Sequence, residues 1–255
     1  MRKDQLEMLK ALEAFARICR ENDIQWWLCS GTLLGAARHK GFIPWDDDMD
    51  ISMFDEDYKK LEKILVRMDD EDYFYQCIKS DPEHVNVFGK FRKKNDPVFA
   101  ADQRSKYFKY QGVGLDVFSL EKSNRFAAHM AKFLYQNLIH PTQYIKNRFW
   151  RHFAIKSVQL LNFGLLIPLC RLIGHINHKG QYRYKLGSGF YQCGFSAEDI
   201  LPLRTMEFEG IEFPVPGNTD AYLTKIYGDW RKLPSEEQIR KTMHYPLYIK
   251  EIFGE

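Results

Sequence analysis

The feature that most constrains this chain is a crowding of charge. Asp46, Asp47, Asp48 and Asp50 put four carboxylates within five residues. Like charges at that spacing repel by about 1 kcal/mol per pair even in water, and by more in a cleft. A divalent cation relieves the repulsion, and hard carboxylate oxygens suit Mg²⁺, or Mn²⁺ in its place. Met49, Ile51 and Met53 alternate with Asp48 and Asp50, the pattern of a half-buried strand. Residues two apart on a strand share a face, so the spacing predicts that Asp48 and Asp50 point one way while Met49 and Ile51 enter the core. Asp46 has the same parity, but Asp46 and Asp47 directly follow Pro44-Trp45, where regular strand is disfavoured. A bare D-x-D is more often an acidic loop. What favours a site here is the segment just upstream.

That segment, Ile24–Cys29, reads as a buried strand and breaks at Ser30-Gly31 into a short helix over Thr32–Arg38, capped by Ser30 or Thr32. A strand that turns through small residues into a helix N-terminus presents backbone N–H groups to an anion. Ser30 and Gly31 are therefore candidate phosphate-binding residues, although a plain strand-to-helix turn needs the same residue types. Farther on, Val85–Arg92 is a strand candidate that puts Lys90, Arg92 and Lys94 on one side. A charged edge strand explains such a row as well as phosphate binding does. In Gly112–Leu120 one carboxylate, Asp116, sits between Leu115 and Val117 inside an otherwise apolar strand. Buried carboxylates are rare unless paired or metal-bound. If this strand lies beside the Asp48–Asp50 strand, Asp116 completes a three-carboxylate site.

The remaining pattern is that of one soluble domain over residues 1–255. Residues 2–22 form an amphipathic helix with Leu6, Leu9, Leu12, Phe15, Ile18 and Cys19 along one stripe. Asp55 caps a second helix, Tyr73–Ile78 is a strand, and Ser123–Ile139 is helical. A hairpin turns at Gly210, and a helix over Thr219–Tyr227 closes at Gly228. Tyr227-Gly228-Asp229-Trp230, Arg240 and His244 stand out as aromatic and basic groups for a rim or a base. Five scattered cysteines without a C-x-x-C fit a reducing compartment, and Met1–Gln5 leads into an amphipathic pattern, so a cytoplasmic protein is expected.

Charge is unevenly spread. Between Glu121 and Glu198 there is no Asp or Glu, yet eleven Lys and Arg and five of the eight histidines fall there. Within it, the apolar stretch from Phe153 to Ile176 is interrupted by Gln159, Asn162, Pro168 and Arg171, and falls short of a clean membrane span. Residues 122–190 thus read as a basic helical insertion. It suits either the surface of an anionic membrane, on its inner face, or a subdomain with its own core. No nucleic-acid recognition motif accompanies the charge, so no nucleic-acid partner is expected.

The run Ser30-Gly31-Thr32-Leu33-Leu34-Gly35, then Arg38-His39-Lys40-Gly41-Phe42-Ile43-Pro44-Trp45-Asp46-Asp47-Asp48-Met49-Asp50-Ile51, closely resembles the LicD/fukutin family of phosphotransferases. Tyr227-Gly228-Asp229-Trp230 with Leu233-Pro234, Phe91–Asn95 and Leu115–Phe118 are similar to further family segments. The resemblance implies an α+β, nucleotidyltransferase-like fold, a mixed β-sheet flanked by helices. It implies Asp48, Asp50 and Asp116 as metal ligands and catalytic acids, with Ser30 and Gly31 over the donor phosphates. Arg38, Lys90 and Arg92 would add positive charge for the substrate. The activity implied is Mg²⁺-dependent transfer of phosphocholine from a CDP-alcohol donor to a sugar hydroxyl of a glycan, lipid-linked, such as teichoic acid or lipopolysaccharide. CDP-ribitol or CDP-glycerol chemistry, nucleotide transfer, and an inactive membrane-associated scaffold are the alternatives; the intact acids speak against the last.

Overall fold

A computed structural model describes residues 2–94, 107–188 and 191–242. His244 and Asn95 lie outside these residues.

The elements that build the site come first in the chain. Helix α1 (Lys3–Glu21) is followed by strand β1 (Trp27–Leu28), helix α2 (Ser30–His39), strand β2 (Asp50–Phe54) and helix α3 (Asp55–Leu65). Strands β3 (Tyr73–Gln76), β4 (Gly89–Lys93) and β5 (Gly114–Lys122) complete the main sheet, whose order is β1-β2-β5-β4-β3. A short strand β6 (Tyr182–Tyr184) pairs with the far end of β5. The β2–β5 pair is parallel and the others are antiparallel, so the sheet is mixed, as expected.

Register decides which side chains share a face. Asp50, Ser52 and Phe54 of β2 stand opposite Asp116, Phe118 and Leu120 of β5, while Ile51 and Met53 stand opposite Val117 and Ser119. The second set, with Phe91 of β4, is the apolar face that α1 covers, Phe15 meeting Phe91 edge-on at 5.7 Å. Helix α3 lies on the same side, its Tyr58 hydroxyl accepting from that of Tyr75 at 3.1 Å. The opposite face carries carboxylates at its start and aromatics beyond. There Trp27 packs on Phe54, Phe54 on Tyr182, and Phe118 on Tyr184.

Helix α4 (Arg125–Leu134), helix α5 (Arg148–Leu161) and helix α6 (Ile167–His175) form the helical module, α5 and α6 running together through a wide turn at Asn162–Leu166. Asn124 caps α4 by accepting from Ala127 N and ties it to α6 by donating to the carbonyls of Ile173 and Ile176. Helix α7 (Ala197–Ile200), the hairpin β7 (Arg204–Phe208) and β8 (Ile211–Val215), helix α8 (Thr219–Tyr227) and helix α9 (Glu236–Thr242) follow. The turn residue Gly210 has φ +79°, which favours glycine. α8 lies over the aromatic face, with Tyr222 stacked on Phe195 at 4.1 Å and bonded to Trp27.

Several local expectations need correction. The strand before the turn covers only Trp27 and Leu28, because the chain from Ile24 to Trp26 instead packs under the hairpin, where Trp26 meets Phe213. Leu6 is 42% exposed and lies off the α1 stripe. Asp55 begins α3 without capping it; its carboxylate is taken by Ser119, Lys59 and Lys185.

Candidate active site

Asp50 and Asp116 are register partners on the parallel strands β2 and β5, and Lys90 on β4 is the register partner of Asp116 from the other side. Three neighbouring strands therefore set a row of two carboxylates and one ammonium across one face. Lys90 forms an ion pair with Asp116 Oδ1. Asp50 is 5% exposed, and its Oδ1 atom is buried with no hydrogen-bond partner among the described residues. An ionised oxygen left so costs several times an ordinary hydrogen bond. Burial, then the charges of Asp48, Asp116 and Asp46, push the Asp50 carboxyl well above its ordinary value; Lys90 opposes them.

Asp48 was expected beside Asp50 on the same strand. β2 begins only at Asp50, and Asp46–Met49 form an irregular extended segment leading into it. Buried Met49 keeps the predicted inward parity, and its carbonyl accepts from Asp116 N at 2.8 Å, so Asp48 still reaches the group. The carboxylate oxygens of Asp46, Asp47 and Asp48 lie within 4.8 Å of one another. Burial first, then Asp48 and Asp47, raise the Asp46 carboxyl well above its usual range, against the pull of Arg2. Asp46 and Asp47 thus belong to the cluster, although Pro44-Trp45 argued for leaving them out. No residue type other than carboxylate supplies the buried negative charge here, and the donor set is the hard-oxygen kind that Mg²⁺ or Mn²⁺ takes. The orphaned Asp50 oxygen fits such an ion.

Helix α2 brings its first turn to this cluster. A Cβ on Gly31 would fall 2.8 Å from Asp46 Oδ2, so the missing side chain is what lets the helix start approach the carboxylate. The positive end of the helix favours negative charge there. Ser30 opens the helix at φ +47°, is 1% exposed, and lies with its hydroxyl on Cys29 Sγ at 3.7 Å. The cap differs from expectation: Cys29 is the N-cap, and Thr32 Oγ1 instead accepts from Asp50 N at 2.8 Å, pinning α2 to the first residue of β2.

The other sequence candidates divide. Arg38, at the end of α2, donates to Lys232 O at 2.8 Å and lies near Tyr227 and Asp229; its site is the C-terminal motif and not the carboxylate row. Arg92 shares the parity of Lys90 but is one register step away, opposite Gly114. It donates to Gln76 Oε1 at 2.7 Å and Gly112 O at 2.8 Å, bracing β3, β4 and the chain entering β5.

Three contributors carried little or no local signal. Arg2 donates to Pro44 O and Asp46 O at 2.7 and 2.5 Å, holding the acidic segment to the start of α1. Tyr191 donates to the hydroxyl of Tyr227 at 3.3 Å. Burial pushes Tyr191 up to about 12, and the charges of Asp50 and Asp48 act on it in the same direction; Tyr227 is raised by burial, by Tyr191 and by Asp50 and Asp46. Two neutral phenols therefore flank the acids. Tyr227 stood in a visible motif, whereas Tyr191 did not.

The sequence of the LicD/FKTN/FKRP nucleotidyltransferase domain matches residues 23–160, which hold the turn, all the acids, β2 to β5 and α4. The lipopolysaccharide cholinephosphotransferase LicD of Haemophilus influenzae is 28% identical over 271 aligned residues, covering 99% of this chain and 97% of its own. The ribitol 5-phosphate transferase FKRP of human and of mouse is 40% identical over 60 residues, 22% of this chain and 12% of FKRP.

Proposed function

This chain belongs to the LicD/FKTN/FKRP nucleotidyltransferase family, and from that premise we propose that it is a phosphotransferase moving phosphocholine from CDP-choline to a sugar hydroxyl of a cell-surface glycan, lipopolysaccharide or teichoic acid. The observation that carries the chemistry is the carboxylate row, buried Asp50 beside half-buried Asp116 and Asp48, with an orphaned oxygen on Asp50. These three residues would hold Mg²⁺ or Mn²⁺, which when bound supplies positive charge to the donor's phosphate oxygens and the CMP leaving group.

The chain's own groups have separable tasks. Gly31 opens a passage to the first-turn amides of α2, which bind a donor phosphate together with the local helix charge. Ser30 serves through its backbone, since its side chain is buried. Lys90 keeps Asp116 oriented across the sheet, where that carboxylate can accept the proton of the attacking hydroxyl or act only as a ligand. Tyr191 and Tyr227 wall one side with neutral aromatic surface, and Arg38 fixes the segment that carries Tyr227. Arg92 acts as a brace and not as a phosphate contact.

Full-length similarity to a cholinephosphotransferase favours phosphocholine. The FKRP match favours an alditol phosphate as the second reading, but covers a short segment. Release of CMP from CDP-choline, CDP-ribitol and CDP-glycerol by the purified chain, with and without Mg²⁺, separates them. Mg²⁺-dependent release from CDP-choline that Asp50→Asn abolishes in a folded protein is expected. Release indifferent to the metal and to that substitution refutes the site.

A further inference from the structure

Helix α5 is unusually polar on its inward side. Arg151, Gln159 and, in the turn that follows, Asn162 are buried there beside the apolar Ile155, which packs with Val85, Tyr135 and Ile139. Arg151 pairs with Glu83 through both its Nε and a terminal nitrogen at 2.8 Å, and Gln159 donates to His84 O. Its outward residues are apolar. Trp150, Phe153, Leu160 and Leu165 follow one another at helical spacing with exposures from 52% to 78%, and Leu169 and Leu172 continue the row along α6. Phe126 and Phe133 of α4 are 66% and 63% exposed, with His129 between them on the same face. Single exposed apolar residues are ordinary, but a contiguous surface of this kind marks something that covers it.

Charge says what the cover is. Residues 122–197 contain no carboxylate, and Lys122, Arg125, Lys132, Lys146, Arg148 and Lys156 border the apolar residues in sequence. At the start of α4, a cavity of about 370 Å³ is lined by Arg125, His129 and Arg183 and, among the described residues, by no acidic group; Arg183 is 8% exposed and its Nε has no partner among them. A second copy of this chain would bring the same positive charge and be repelled. A lipid surface with anionic headgroups offers hydrocarbon to the leucines and aromatics and negative charge to the rim, where long basic side chains reach outward.

We propose that the outward face of α4, α5 and α6 lies in the interfacial layer of an anionic bilayer. Contrary to the expectation from its polar interruptions, the 28-residue helix Arg148–His175 is long and apolar enough, by length and composition alone, to cross a membrane. Its inward polar row is what holds it flat: crossing would pull Arg151 from Glu83, a pair whose side chains are 1% and 8% exposed, and leave both charges unmatched. The segment Asp81–Phe88 that grips α5 runs directly into β4 and Lys90, so the docked face and the carboxylate row are joined by one short stretch of backbone.

The inference does not depend on the proposed chemistry, and its test uses no nucleotide. The full chain is sedimented with vesicles of phosphatidylcholine alone and of phosphatidylcholine with phosphatidylglycerol. Binding to the anionic vesicles that added salt weakens, and that falls more than about tenfold in the double variant Phe153→Glu, Leu160→Glu, is expected. Both positions are exposed, and unchanged circular dichroism confirms that the variant folds. Arg148→Glu with Lys156→Glu should remove the preference for anionic over neutral lipid. Equal binding to both vesicles, binding unaffected by the apolar variant, retention of the protein in membranes through alkaline carbonate, or a lipid-free dimer dissolved by the same variant would each overturn it.

Discussion

Across the sheet, Ile51, Met53, Val117 and Phe91 face two helices while Asp50, Asp116 and Lys90 gather at one end of the other face. Along α5 the assignment is partly exchanged: an arginine, a glutamine and an asparagine are buried beside Ile155, and tryptophan, phenylalanine and leucines stand outside. Both regions bury charge, and the difference lies in its partners. Arg151 and Glu83 satisfy one another, with His152 Nε2 as a third member at 2.7 Å from Glu83 Oε1. Although burial opposes it, Arg151 and then His152 hold the Glu83 carboxyl below its ordinary value. Burial first, then the like charges of Asp48, Asp116 and Asp46, hold the Asp50 carboxyl above its ordinary value. One buried group is structurally complete; the other is left with a charge deficit of the kind the proposed metal would offset.

Substitution should expose the difference most strongly at Asp50. Asp50→Asn removes a proposed ligand and one of the repelling charges together. We expect Mg²⁺-dependent turnover to fall more than about a thousandfold, an effect of metal-ligand size, while the melting temperature in EDTA stays level or rises. In wild-type protein, saturating Mg²⁺ at a hundred times its Kd should add about 2.7 kcal/mol of stability, a gain the variant lacks. A melting temperature that collapses in EDTA would mean that Asp50 is structural after all.

Arg151→Ala should behave in the opposite manner. It strands Glu83 in a buried position and opens space beneath Tyr107, over whose ring the guanidinium sits at 3.7 Å. A loss of about 3–5 kcal/mol in urea unfolding is expected, with turnover per folded molecule preserved. Stability close to wild type would show that the inward face of α5 is wet, and the comparison would fail.

How much of this was readable in the chain follows the same division. Alternation around Asp50 and the apolar neighbours of Asp116 gave the face of each carboxylate, because strand parity is local; that the two strands lie side by side was a condition of the reading, and the register meets it. Parity could not tell a strand from an extended segment, so Asp48 was placed one element too far on. It could not fix depth along a strand either: Lys90 meets Asp116, whereas Arg92, two residues on, meets Gly114 and turns to Gln76. Arg2 and Tyr191 reach the site from distant parts of the chain and left no local pattern. In α5 the apolar run was visible but its orientation was not, since a buried arginine becomes plausible only once Glu83 is known to lie against it.

A pH titration probes the seam between the two regions. His84 is buried, and burial, against its Nε2 contact to Phe88 O and with the help of Lys90 and Arg92, pulls it down to about 4 from 6.5. Its neutral form is favoured by the fold, so its contribution is fully present above pH 6.5. It is lost progressively as pH falls toward 4, because only the unfolded chain takes up the proton in that window. The limit is about 3 kcal/mol. Glu83, with its lowered value, loses stability in the same direction at lower pH. His84→Gln keeps a donor for Phe88 O and should flatten the fall in urea midpoint between pH 6.5 and 4; an unchanged slope would assign the acid sensitivity to other groups.

The smallest expected effect is the most discriminating. Leu160 is 78% exposed and Leu172 66%. If their faces meet lipid and not protein, Leu160→Asn and Leu172→Asn should change the stability of the lipid-free chain by no more than about 0.5 kcal/mol, the range of ordinary surface substitutions. On α1, Leu12 is fully buried in the core, and Leu12→Asn adds an unsatisfied amide to a lost apolar contact. Three leucines of similar chemistry thus separate by the medium they face. A cost at Leu160 approaching that at Leu12 would mean that protein covers it in solution, and α5 would then be an ordinary buried helix whose polar row needs another cause.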